Sequence, residues 1–130
     1  MYCFDTNIII DIFHGDIDLR ERINEIVDSG NEIFITPITL CELYKGVYLF
    51  KNPEKELIDL DNFIPGFDLL DFNKESCIIF GKEYARLSKL GKTTQESDLM
   101  IASITKANNL IVVTRNKKHF ENVDVTVEVW

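Results

Sequence analysis

Leu110-Ile111-Val112-Val113 is apolar at every position, β-branched at its last three, and stopped by Thr114 and Arg115. A strand of that kind has no solvated side, so the sheet that holds it must be covered on both faces. Met1-Tyr2-Cys3-Phe4-Asp5 reads the same way. Residues 32–36 and 67–72 are further strand candidates, and residues 123–129 alternate Val with Asp, Thr or Glu as an edge strand does. Helical stretches fill the intervals, at residues 8–14, 19–29, 37–50, 53–62, 74–90 and 95–108. The alternation predicts an α/β fold, a five-stranded parallel sheet with helices on both faces. The length, 130 residues, suits one domain over 1–130.

Local chemistry supports these boundaries. Thr36-Pro37 reads as an N-cap followed by proline at the first helical position, and Thr93-Thr94-Gln95-Glu96 fits a capping box. No apolar run approaches the roughly 18–20 residues of a membrane span. The opening residues lack a basic region and a small-residue cleavage site, so the expectation is a cytoplasmic protein. Cys3, Cys41 and Cys77 match no disulfide framework and no C-x-x-C spacing, and are read as small buried apolar residues.

In a doubly wound sheet, ligands gather beyond the carboxyl ends of the strands. Asp5 ends the first strand, followed by Thr6 and Asn7, and fits either a helix cap or a site residue. Glu42 falls opposite Leu40, Tyr44 and Val47 on a helical wheel, as a solvated residue does, yet Gly46 shares its face and makes room for a ligand. Asp98 shares its helix face with Ile101, Ala102 and Thr105, where an isolated charge is costly, so it needs partners. Thr114 and Asn116 end the strand at 110–113. The apolar arc over residues 44–51 is read as core.

Fourteen Lys and Arg against 22 Asp and Glu give a net charge of −8, a field that repels nucleic acid and favours cations or a basic partner. Neither His14 nor His119 stands in a nucleophile motif, and no glycine-rich phosphate loop is present. Dinucleotide-binding and P-loop readings therefore fall away. Acidic residues and an Asn converging at one sheet edge would form an all-oxygen site suited to Mg²⁺ or Mn²⁺. A receiver-type signalling domain also carries an acidic pocket, but it needs adjacent acids after the first strand and a Lys after the fifth. Here Thr6 and Asn7 follow Asp5, and the last strand runs to Trp130 without lysine.

Four segments together resemble the successive motifs of PIN-domain ribonucleases, VapC-type toxins especially: Tyr2-Cys3-Phe4-Asp5-Thr6-Asn7-Ile8, the stretch from Pro37 through Glu42-Leu43-Tyr44-Lys45-Gly46, Ser97-Asp98-Leu99-Met100-Ile101-Ala102, and Val113-Thr114-Arg115-Asn116-Lys117-Lys118-His119-Phe120. The resemblance runs from Tyr2 to Phe120. It implies a PIN-like domain in which Asp5, Glu42 and Asp98 hold Mg²⁺, with Mn²⁺ as a substitute, and Asn116 joins the catalytic set where many members carry a fourth carboxylate. Thr6, Asn7 and Thr114 would support them. The implied reaction is hydrolysis of an RNA phosphodiester by water, leaving 5′-phosphate and 3′-hydroxyl ends. Arg115, Lys117, Lys118 and Lys45 are the candidate RNA contacts against the adverse net charge. The resemblance further implies a homodimer and a small antitoxin partner with a basic tail. Two alternatives stay open at this level, a PIN-fold binding module with little activity and a DNA-directed metal nuclease.

Overall fold

A computed structural model describes all 130 residues. Five parallel strands, β1 (Tyr2–Phe4), β2 (Ile33–Ile35), β3 (Asp68–Leu69), β4 (Ile111–Thr114) and β5 (Val127–Val129), lie in the order β3-β2-β1-β4-β5. Cys3 sits beside Phe34 on one side and Val112 on the other. Every strand pair is parallel, as the sequence predicts.

Side chains alternate across the ribbon, so consecutive apolar residues of β1 feed opposite layers. Phe4, Ile33, Ile35 and Val113 enter the larger core, covered by α1 (Thr6–Phe13), α2 (Ile17–Asp28), α3 (Pro37–Tyr48) and α4 (Glu54–Phe63). Cys3 and Val112 face the other layer, where α6 (Glu96–Ala107) lies on the sheet and α5 (Lys74–Lys89) packs on α6. The chain leaves β1 toward β2 on one side and β4 on the other. That places the switch in strand order at the carboxyl ends of β1 and β4, where Asp5 and Thr114 stand.

Several expectations need correction. β3 and β5 are shorter than the expected 67–72 and 123–129, because each is an edge strand with one neighbour to pair with. α1 starts at Thr6, not residue 8, since Asp5 caps it directly. α6 begins after Gln95 with no side-chain cap; the Thr94 hydroxyl instead donates to the His119 carbonyl at 3.1 Å. Only Cys3 is buried, its thiol pushed up to about 12 by burial; Cys41 and Cys77 are exposed because they fall on the solvent sides of α3 and α5. The apolar arc at 44–51 is only partly core: Val47 is buried and Tyr44 half-buried, whereas Tyr48, Leu49 and Phe50 are exposed. No helix is long and apolar enough to cross a membrane.

Candidate active site

The site grows from the turn between β1 and α1. Asp5 is extended (φ −63°, ψ 153°), and its Oδ1 accepts from the Thr6 amide at 2.8 Å. Its Oδ2 accepts from the Thr114 hydroxyl, also at 2.8 Å, so one carboxylate caps a helix and ties β1 to the end of β4. The cap reading of Asp5 thus holds, and the same carboxylate also stands at the strand-end position expected of a site residue. Burial raises its pKa, and the bonds from Thr114 and Thr6 oppose the rise.

Thr6 links this carboxylate to the next. Its Oγ1 lies 3.0 Å from Glu42 Oε1 and 3.0 Å from Thr39 Oγ1. A carboxylate oxygen only accepts, so Thr6 donates to Glu42 and the Thr39 hydroxyl donates to Thr6. Glu42 is therefore half-buried and oriented, not solvated. The wheel misplaced it because the buried stripe of α3 runs through Thr39, Leu43 and Val47, and Glu42 borders that stripe.

Asp98 enters from the first turn of α6, with a residue exposure of 6%. Its Oδ2 is buried without a hydrogen-bond partner, and the nearest candidate, His119 Nδ1, is 3.6 Å away and equally unpartnered. Burial pushes the Asp98 carboxyl up to about 6; His119 opposes this, and the like charges of Asp5 and Glu42 add to it. The charges of Asp5 and Glu42 thus act on Asp98 across the site. The three acids are not drawn into a ready-made cage of three ligands. The residues nonetheless fit a divalent cation: the donors are all carboxylate oxygens, and a buried anionic oxygen lacks a partner that a cation would supply.

The remaining expected residues divide. Thr114 is buried and joins Asp5, while Asn7 is exposed on α1, away from these bonds. Arg115 pairs with Asp11 and Asp16, each at 2.9 Å, which fastens the end of β4 to the α1–α2 corner and commits its charge there. Lys117, Lys118 and Lys45 are exposed. Lys118 lines an open polar cleft of about 360 Å³ with Thr93, Thr94, Gln95, Asp98 and His119. Asn116 does not offer its carboxamide to the acids; its Nδ2 lies 2.9 Å from His119 Nε2. Sequence reasoning set His119 beside the pocket with Arg115, Lys117 and Lys118 as part of a basic cluster, and missed its bond with Asn116 and its approach to Asp98. The available signal was its spacing from Asn116, since positions i and i+3 stand one above the other in a tight 3-10 turn such as Lys117–His119.

The PIN domain family matches residues 2–125 of the chain. Ribonuclease VapC2 of Haemophilus influenzae is 31% identical over 123 residues, covering 94% of this chain and 91% of that protein. The tRNA(fMet)-specific endonuclease VapC of Shigella flexneri is 32% identical over 131 residues, covering 99% and 97%. Among solved structures, VapBC2 from Rickettsia felis, bound to a DNA fragment from their promoter, contains a chain that superposes with a TM-score of 0.91 at 30% identity, covering 99% of this chain and 98% of that one. With the match spanning nearly every residue, and the acidic site at the strand-order switch, the chain belongs to the PIN-domain family, in its VapC ribonuclease branch.

Proposed function

We propose that this chain is the toxin of a toxin–antitoxin pair, a divalent-cation-dependent ribonuclease that hydrolyses RNA with water as nucleophile. The observation that carries the reading is Asp98 Oδ2, a buried carboxylate oxygen without a partner that shares its field with Asp5 and Glu42. The names of the Haemophilus and Shigella relatives, a ribonuclease and an endonuclease, support it.

Asp5, Asp98 and Glu42 would hold Mg²⁺ or Mn²⁺. When bound, such a cation polarises the phosphate and acidifies a coordinated water. The chain's own contribution is orientation. Thr6 and Thr114 fix both oxygens of Asp5, and Thr6 fixes one oxygen of Glu42. The other oxygen of Glu42 would be free to act through a water and to accept its proton. RNA attraction must be local given the −8 charge, and exposed Lys117, Lys118 and Lys45 supply it; Arg115, already paired, does not.

A groove of about 200 Å³ between α1, α3 and α4, walled by Ile10, Phe13, Leu43, Val47 and Leu60 with Glu42 at its side, suits an apolar antitoxin segment followed by a basic residue. Gly46 opens it, with nothing near the space a side chain would take. The test is incubation of the purified chain with tRNA, rRNA, mRNA and DNA fragments after EDTA treatment, with Mg²⁺ or Mn²⁺ restored. Cation-dependent cutting of RNA with 5′-phosphate ends is expected. Cutting of DNA alone, or equal cutting in EDTA, would refute the assignment.

A further inference from the structure

The Asn116–His119 pair faces the acidic site from the end of β4. His119 Nε2 lies 2.9 Å from Asn116 Nδ2, and His119 Nδ1 lies 3.6 Å from Asp98 Oδ2. An amide nitrogen only donates, so Nε2 must accept. A neutral ring that accepts at Nε2 carries its proton on Nδ1, which faces the buried, unpartnered Asp98 Oδ2 across 3.6 Å, just beyond a hydrogen bond. With a neutral ring, the reversed amide would put the Nδ1 lone pair against a carboxylate oxygen, with both atoms buried. Further bonds hold the turn itself: the Asn116 amide donates to the Thr114 hydroxyl at 3.0 Å, and Thr94 donates to the His119 carbonyl.

We infer that His119 is a positioning residue for the nuclease site: Asn116 fixes its tautomer, and its Nδ1–H sets the direction of the Asp98 carboxylate. Asn116, in the place where a fourth carboxylate was expected, then serves the cation indirectly through the ring. The inference rests on the nuclease reading only for the purpose of Asp98; the ring geometry stands by itself. An outer partner of this sort changes cation affinity or activity by about 10–100-fold when removed.

The variants separate the two ends of the ring. His119→Asn places an amide nitrogen near the Nδ1 position and keeps a donor for Asp98. His119→Gln places its amide near the Nε2 position and leaves Asp98 without one. Calorimetric titration with Mn²⁺ should show about tenfold weaker binding for His119→Gln and a change under about threefold for His119→Asn. In RNA cleavage, kcat should follow the same order with KM unchanged. Equal losses in both variants, no loss in either, or the opposite order would overturn the inference.

Nitrogen-15 NMR of the metal-free wild type at pH 8.5 should place the ring proton on Nδ1, and Asn116→Ala should release it toward Nε2. A wild-type proton on Nε2, alone or with Nδ1 also protonated, would overturn the inference while leaving cleavage untouched. Cleavage that survives Asp98→Asn would refute the nuclease reading and leave the ring proton where it is.

Discussion

Asp98 carries an electrostatic load that a melt can read. Its carboxyl is held at about 6 in the fold, mainly by burial, against an ordinary value of 3.8. A raised acid favours folding while protonated, so its contribution is present below about pH 4 and is lost as pH climbs through about 6. In EDTA at pH 8, Asp98→Asn should therefore be more stable than wild type by about 1–2 kcal/mol after solvent screening, a Tm gain of about 3–8 °C. At pH 4 the two melts should converge. A variant that melts lower at both pH values would mean that Asp98 is held by contacts and not strained by its neighbours. The sequence displayed this residue well, because a carboxylate among Ile101, Ala102 and Thr105 has no bland explanation. Glu42 was legible as a candidate but not as an oriented one, since its position depends on Thr6, 36 residues away in sequence. His119 was legible as one of the basic residues beside the pocket but not as a neighbour of Asp98, which lies on another element.

Elements decide which charges are free to act. Arg115 begins the loop after β4, beside the site in sequence, yet its guanidinium is drawn back to Asp11 and Asp16 at the α1–α2 corner. Arg115→Gln should lower Tm by about 1–3 °C and leave KM for RNA unchanged, because exposed ion pairs contribute little. Lys118→Ala, by contrast, should raise KM severalfold and flatten its salt dependence by about one charge. An Arg115→Gln effect on KM as large as that of Lys118→Ala would return Arg115 to the RNA surface. The strand and helix order was readable because β1 and β4 are apolar on both sides and α1, α2, α3 and α6 send apolar residues into the core. The edge strands and the first turn of α6 were not, as their limits depend on pairing and on Thr94 turning away to the His119 carbonyl. The groove against α3 was legible only as surplus apolar residues at 44–51, and Phe50→Asp should weaken antitoxin binding about tenfold or more while RNA cleavage persists. Unchanged binding to that variant, measured by calorimetry with the partner, would move the partner to another face.

At the scale of the whole molecule, the −8 charge sets which partners arrive quickly. A basic antitoxin tail should associate faster at low salt, and its inhibition should weaken as Mg²⁺ or ionic strength rises, because cation and tail compete for the same carboxylates. Inhibition that ignores both would mean that the tail does not reach the acids. The parallel sheet brings Asp5 from the end of β1, Glu42 from α3 and Asp98 from α6 to one edge, and the account stands or falls on whether that edge cuts RNA through a bound cation. The decisive measurement is the cleavage rate of one RNA substrate by wild type and Asp98→Asn at equal concentrations of folded protein, in Mn²⁺. Wild type should cut, and the variant should be slower by at least about 100-fold although it is folded and no less stable. Cleavage by Asp98→Asn at the wild-type rate would contradict the account.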